Sequence, residues 1–257
     1  MTIQHIKMRW GTGDNYCYLL TDDTTKETFI IDPAEPAEVL PTIHDLVKKG
    51  EIVVAGIVNT HHHHDHSGGN AELSSVFPEV PIIAGFDSPL VTQTPDNGST
   101  FKLGKNISIK ALYTPCHTQD SISYFCEDGD DRAVFTGDTL FVCGCGRFFE
   151  GTAEDMDTSL NTVLGALPDD TVIYPGHEYT ASNVKFATSV LKNSKALDKL
   201  DAYTNANEVT TGIFTIGDEK SYNPYMMLTD PQILKATGKT GRTEVMKRLR
   251  EMKNSFR

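Results

Sequence analysis

Residues 60–66 read Thr60-His-His-His-His-Asp-His66 and follow directly on Ile52–Val58, a β-branched and almost wholly apolar run. An apolar run of that length between turn residues suits a fully buried strand. The histidines then occupy a loop at its carboxyl end. Gly68-Gly-Asn70 comes next and predicts a short helix reaching Phe77. A single histidine is usually a satisfied structural residue, but five within six positions are not explained that way. The internal position and the interrupting aspartate exclude an affinity tag. A metal-scavenging tract is the other plain reading, and placement at the end of a core strand decides against it. The segment is read as a metal-binding loop. In an extended loop, alternation sends His61, His63 and Asp65 to one side and His62 and His64 to the other. His66 can rejoin the first set from the start of the helix.

Further ligands should come from other strand ends. Four histidines lie outside the cluster: His5, His44, His117 and His177. His5 and His44 stand in ordinary strand and helix contexts and are read as surface residues. His117 follows the strand predicted over Ile107–Tyr113, within Thr114-Pro-Cys-His-Thr118. His177 follows Thr171–Tyr174, within Tyr174-Pro-Gly-His-Glu178. Asp138 follows Ala133–Thr136, within Thr136-Gly-Asp-Thr139. The arrangement repeats each time: a strand, a small or rigid turn residue, then a ligand-type side chain. It points to a site along one edge of a sheet. His61, His63, Asp65, His66, His117 and His177 provide six terminal ligands, and the carboxylate of Asp138 can bridge. A single metal needs only about three or four protein ligands, so the count predicts two. Two ions ~3.5–4 Å apart can share a hydroxide and make it a nucleophile at neutral pH. Imidazole and carboxylate donors suit zinc, iron and manganese alike, and two divalent ions, zinc before iron or manganese, are expected.

The rest of the chain supplies a frame for that edge. Ile3–Met8, Tyr16–Leu20, Phe29–Ile31, Pro81–Ala84 and Ser121–Cys126 predict strands, and Ala37–Lys49 predicts a helix after Pro33-Ala-Glu-Pro36. Glu127-Asp-Gly-Asp-Asp131 is a hairpin signal. Thr152 with Asp155 resembles a capping box, opening a helix with Met156, Leu160, Val163, Leu164 and Leu167 on one face. Residues 86–106 form a long, weakly patterned connection. Beyond residue 178 strand signals stop. Helices are expected over Tyr179–Lys192 and Lys195–Tyr203, and at the end, where Val245, Leu249, Met252 and Phe256 keep helical spacing. The expected class is α/β, with a mixed domain over 1–177 and a smaller, mainly helical one over 178–257.

Charge removes several function classes. Asp and Glu outnumber Lys and Arg by 35 to 23, a net charge of −12, which argues against a nucleic-acid surface. No apolar run approaches the ~20 residues of a membrane span. The amino terminus lacks the apolar core of a secretory signal, and a cytoplasmic protein is expected. Five cysteines, an odd number, suggest no disulfide framework. Cys143 and Cys145 form a C-x-C pair that cannot close a zinc site alone, and Cys116 has no paired base. All five are read as structural thiols. Residues 239–257 carry seven Lys and Arg against two Glu. That basic end on an acidic body is either a solvated face or a local anion site.

The motif Thr60-His-x-His-x-Asp-His66, followed in order by His117, Asp138 and His177, resembles the metallo-β-lactamase superfamily. Within it the chain resembles the hydroxyacylglutathione hydrolases, the glyoxalase II family, over essentially its whole length. The residues that carry this are Lys7-Met-Arg-Trp10, Asn15-Tyr-Cys-Tyr-Leu19, Ile31-Asp-Pro-Ala34, Gly144-Cys-Gly-Arg-Phe-Phe-Glu-Gly-Thr152, Gly176-His-Glu-Tyr-Thr180 and Tyr222-Asn-Pro224. The resemblance implies an αββα sandwich with a helical carboxyl-terminal extension. It implies one metal on His61, His63 and His117, another on Asp65, His66 and His177, and Asp138 between them. It implies S-D-lactoylglutathione as substrate, with D-lactate and glutathione as products, and glutathione held by Arg147, Phe149, Tyr179, Arg250 and Lys253. The family form carries Lys and Tyr in the loop where this chain has Arg147 and Phe149. Arg147 keeps the charge with a different hydrogen-bond geometry, and Phe149 lacks the hydroxyl.

The mechanism these residues imply is attack of a metal-bridging hydroxide on the thioester carbonyl. Asp138 would hold the bridge and Asp65 would orient the hydroxide, in a chain expected to be a monomer. Three rivals share the ligand types. A persulfide dioxygenase would use one iron and oxygen, and the helical extension and Gly-Cys-Gly loop count against it. A nuclease is opposed by the negative charge, and a non-catalytic metal-binding scaffold by the intact ligand set.

Overall fold

In the computed structural model, which describes residues 1–256, the chain divides into two units. One is Met1–Tyr113 with Asp120–Gly137, and the other is Thr114–Gln119 with the chain from Asp138 onward.

The first unit holds two facing sheets. Strands β1 (Thr2–Met8), β2 (Asn15–Thr21), β3 (Glu27–Ile31), β4 (Val53–Val58) and β5 (Ile82–Ile83) lie in sequential order in one of them. The β1–β2 and β2–β3 pairs are antiparallel, whereas β3–β4 and β4–β5 are parallel. A parallel neighbour needs a crossover, and α1 (Pro36–Lys48) provides it. This helix starts on a proline, which suits its first turn, and ends on Lys48, which suits the negative end of its dipole. Its buried stripe of Val39, Leu40, Ile43 and Leu46 packs with Leu19, Ile30, Ile57 and Leu73. Strand β4 was expected to be buried throughout. Val53 is 56% exposed and only Gly56–Val58 are buried. The half that leads into the histidines is thus the half fixed in the core.

Opposite it, β6 (Thr100–Leu103), β7 (Ile107–Tyr113), β8 (Ile122–Asp128) and β9 (Asp131–Gly137) form an antiparallel meander. The predicted hairpin closes with Asp128 facing Asp131 across Gly129 and Asp130, and Gly129 takes the φ of +61° that the turn requires. Aromatic side chains stitch the sheets together. Phe29 meets Phe101 at 6.2 Å between ring centroids, and Tyr18 meets Phe135 at 5.3 Å. Two short helices, α2 (His64–Ser67) and α3 (Asn70–Val76), follow β4.

The second unit contains the hairpin of β10 (Leu140–Phe141) and β11 (Gly144–Cys145), and strand β12 (Val172–Pro175). Its helices are α4 (Ala153–Asp157), α5 (Thr180–Val190), α6 (Lys195–Ala206), α7 (Ile216–Tyr222), α8 (Pro231–Thr237) and α9 (Arg242–Ser255). Thr152 and Asp155 form the anticipated reciprocal cap of α4. The helix then passes into a π turn over Thr158–Val163 and a 3-10 turn over Leu164–Ala166. The expected stripe therefore survives as buried Met156, Leu160 and Leu164, while Val163 and Leu167 are only partly covered. In α9, Val245 and Leu249 are fully buried. Phe256 lies past the helix end and is 40% exposed, and Arg250 takes the buried position instead. All five cysteines are free and buried. Among the described residues, no helix is long and apolar enough to cross a membrane.

Candidate metal centre

In the first unit the site is built from Asp32 upward. Asp32 follows β3 at a φ of +52°, a left-handed conformation that only a well-held residue keeps. It is 2% exposed. Its Oδ1 accepts from the Thr60 backbone N–H at 2.7 Å, and its Oδ2 from the Thr60 hydroxyl at 2.7 Å and from His66 Nδ1 at 3.0 Å. A carboxylate only accepts, so His66 carries its proton on Nδ1 and its Nε2 lone pair is bare. The Thr60 hydroxyl has spent its proton on Asp32 and accepts from His61 Nδ1 at 3.1 Å. That leaves His61 Nε2 bare as well, 3.1 Å from His63 Nδ1. Two imidazole nitrogens this close either share a proton or turn both lone pairs on a cation. His62 faces elsewhere, with Nδ1 2.8 Å from Asp120 Oδ1. The expected alternation thus holds through His63. There the chain enters α2, and Asp65 and His66 are presented from a helical turn.

Asp65 is held by Asn15, whose amide donates to the Asp65 carbonyl at 3.0 Å and to its Oδ2 at 3.3 Å. The Arg9 guanidinium lies 3.3 Å from the same Oδ2. The paired glycines after the cluster are a packing requirement. A Cβ on Gly69 would lie 1.9 Å from the Pro33 carbonyl oxygen.

The second unit brings together His117, Asp138 and His177, which are 4%, 8% and 3% exposed. The Nε2 atoms of both histidines lie 3.4 Å from Asp138 Oδ2. His117 Nδ1 donates to the Arg147 carbonyl at 3.0 Å, so its Nε2 lone pair also faces outward from the imidazole without a proton. Gly146 permits this approach. A Cβ there would sit 1.9 Å from the Asp138 carbonyl oxygen and 2.9 Å from His117 Nδ1. Phe149, 60% exposed, meets His117 edge-on at 5.2 Å, and Tyr179 stacks on His177 at 4.5 Å and 13°. Imidazoles whose Nε2 carries no proton, and carboxylate oxygens, are in each unit the donor chemistry of a borderline divalent ion. Histidine and aspartate groups of this chain fit a metal site.

The residues expected to hold glutathione are less alike. The Arg147 side chain is exposed. Arg250 is 8% exposed, and it donates through Nη1 to the Cys145 carbonyl at 3.0 Å and through Nε to Asn254 at 2.8 Å. Lys253 donates to the Ser182 carbonyl and hydroxyl, both at 2.7 Å. Burial, with the Arg250 charge beside it, lowers the Lys253 ammonium to about 8. Cys116 donates its thiol to the Thr152 carbonyl, and burial pushes that thiol far up, as expected of a structural cysteine. His5 and His44 are exposed. Sequence reasoning quoted Asp32, Thr60, Asn15 and Arg9 within family motifs but gave them no part in the site. Asp32 carried a signal, since it follows a strand just as the ligands do.

Residues 10–177 match the family model of the metallo-beta-lactamase superfamily, and residues 178–256 match that of the hydroxyacylglutathione hydrolase C-terminus. The chain is 52% identical to a probable hydroxyacylglutathione hydrolase of Schizosaccharomyces pombe, over 98% of both chains. It belongs to the hydroxyacylglutathione hydrolase family. Its Saccharomyces cerevisiae relatives are a cytoplasmic isozyme, 47% identical over 99% of both chains, and a mitochondrial hydroxyacylglutathione hydrolase, 45% identical over 100% of this chain and 96% of the other. Among solved structures, ETHE1 from Myxococcus xanthus aligns with a TM-score of 0.69 at 25% identity, covering 99% of this chain and 91% of that one. The family accounts for the α/β fold of mixed sheets flanked by helices and for the mainly helical carboxyl-terminal region.

Proposed function

We propose that this chain hydrolyses S-D-lactoylglutathione to D-lactate and glutathione, the step that clears methylglyoxal once it is carried as the thioester. The observation that carries the reading is the 52% identity over 98% of the chain to a hydroxyacylglutathione hydrolase, which spans both the donor-bearing region and the helical one. Identities of 45–52% over whole chains favour the hydrolase over the persulfide dioxygenase.

In this reading residues 1–177 carry the chemistry and 178–257 help bind substrate. Two divalent ions, zinc by preference, are held by His61, His63 and His117 and by Asp65, His66 and His177. Imidazole nitrogens and carboxylate oxygens are the donors such ions take. Asp138, a carboxylate with two oxygens to offer, is the shared ligand in this reading. When bound, such ions polarise a carbonyl and acidify the water that attacks it. The chain's part is to hold that geometry. Asp32 and the Arg147 carbonyl keep protons on Nδ1 of His66 and His117 and off Nε2. Asp65, steadied by Asn15 and Arg9, orients the attacking water. Arg147, Tyr179, Arg250 and Lys253 hold the tripeptide, and the exposed Phe149 ring gives it an apolar contact where the family has a phenol. Binding energy from that remote end fixes the carbonyl for attack. The C–S bond breaks, water supplies the hydroxyl of the lactate carboxyl group, and its proton ends on the glutathione sulfur. A cytoplasmic location accords with the cytoplasmic yeast isozyme, and the chain acts as a monomer in this reading.

The test is thiol release from S-D-lactoylglutathione by purified protein, with a chelator-stripped sample beside it. Release that disappears on stripping and returns with zinc is the expected result. No release from protein carrying its metals refutes the reading, and oxygen uptake with glutathione persulfide would then favour the dioxygenase.

A further inference from the structure

The segment Val142–Arg147 contains little regular structure beyond one arm of the β10–β11 hairpin. Yet four consecutive backbone positions are each gripped by a side chain from the helices of the same unit. Asn183 of α5 donates to the Val142 carbonyl at 3.1 Å. The Cys143 N–H donates to both carboxyl oxygens of Glu219 on α7, at 2.9 and 3.2 Å. Asn223, just past α7, donates to the Gly144 carbonyl at 3.1 Å and to Glu219 Oε2 at 2.8 Å. Arg250 of α9 donates to the Cys145 carbonyl at 3.0 Å. Two residues further on, the Arg147 carbonyl receives the Nδ1 proton of His117.

Glu219 is the costly member of this set. It is fully buried, and its hydrogen bonds come from a backbone amide, a side-chain amide and the Tyr222 hydroxyl, with no cation to repay its desolvation. A well-packed apolar residue would serve stability as well. What the carboxyl group does is hold Cys143 at a φ of +60°, a conformation a non-glycine residue keeps only under constraint. Helix α7 and Asn223 thereby set the path by which the chain reaches Gly146, whose Cα leaves no room beside Asp138 and His117. The Tyr222-Asn-Pro224 motif, which has no part in the chemistry, gains a use as the second half of the grip.

We propose that Glu219 is a positioning residue for His117. Backed by Asn223, it fixes the 142–147 segment so that the Arg147 carbonyl holds the His117 Nδ1 proton and leaves Nε2 aimed at an ion. The proposal rests on the reading of His117 as a metal ligand. The experiment uses the full chain with Glu219→Ala, Glu219→Gln and Asn223→Ser, each checked for folding by circular dichroism. Zinc affinity is measured by competition with a chromophoric chelator, and KM and kcat are measured separately. Expected for Glu219→Ala is an affinity for one of the two zinc ions reduced about 10–100-fold, kcat reduced in step, and KM within about twofold of wild type. Glu219→Gln retains an acceptor for the Cys143 N–H and restores affinity to within about threefold. Should Glu219→Ala not fold, Asn223→Ser, which loosens the Gly144 tie and one bond to Glu219 while leaving the Glu219 bond to Cys143, carries the test with a smaller loss. Folded variants that bind zinc as tightly as wild type overturn the proposal while the metal reading stands. A wild-type chain that binds no zinc overturns both.

Discussion

Asp32→Asn separates the two things Asp32 does. The carboxylate takes two bonds from Thr60 and one from His66 at 2.7–3.0 Å, in a site 2% exposed. The amide has the same shape but one acceptor oxygen. Thr60 offers two donors and claims that oxygen, so the NH2 group turns to His66. An NH2 group can only donate, which forces His66 to accept on Nδ1 and to carry its proton on Nε2. Hydrogen bonds to a charged group contribute about 1.5–3 kcal/mol, and the variant keeps weaker neutral versions of them. The fold should therefore lose only about 1–3 kcal/mol, whereas zinc affinity should fall about 10–100-fold because Nε2 no longer presents a lone pair. Urea unfolding of the metal-free protein gives the first quantity and chelator competition the second. If Asp32→Asn binds zinc within twofold of wild type, the tautomer argument is wrong, whatever happens to stability.

Three further outcomes follow from the same contacts. Lys253 sits near about 8, so its charge is largely present at pH 7 and lost above pH 8. KM for the thioester should be flat below pH 7.5 and rise toward tenfold per unit beyond pH 8.5, and Lys253→Arg should abolish that rise; the same rise in both would exclude Lys253 from binding. Burial raises the Glu219 carboxyl group from 4.5 to about 8. Between those values the folded state keeps a proton the unfolded state has released, so stability must fall as pH rises, with a limiting slope of about 1.4 kcal/mol per unit. Urea titrations at pH 5.5 and 7.5 should show wild type losing about 2 kcal/mol relative to Glu219→Gln, and parallel curves would refute the assignment. Gly146→Ala should lower both Tm and zinc affinity, because its Cβ meets backbone 1.9 Å away, and an unchanged Tm would mean the segment moves freely.

What could be read from the chain beforehand was whatever obeyed topology. His117, Asp138 and His177 each follow a predicted strand, and each is buried near the others of its unit. The meander hairpin was legible because a two-residue turn with glycine leaves few alternatives. Elements only about two hydrophobic periods long were not. Strand β6 shows only Phe101 and Leu103 in alternation, and α7 and α8 span seven residues each. The residues that orient the ligands were the least visible. Glu219 reads as one more charged residue on a polar helix, and only the fold turns it inward beneath Cys143. Arg250 shows a second role that the sequence hid. Its context suggested an anion clamp, and the fold also spends two of its donors on Asn254 and the Cys145 carbonyl.

The proposed hydrolysis requires two zinc ions per chain. The direct measurement is a zinc titration of the stripped protein, with bound metal and thiol release from S-D-lactoylglutathione read on the same samples. The account predicts that activity climbs with bound zinc and levels off at two ions per chain. Full activity at one ion, or thiol release from metal-free protein, would contradict it.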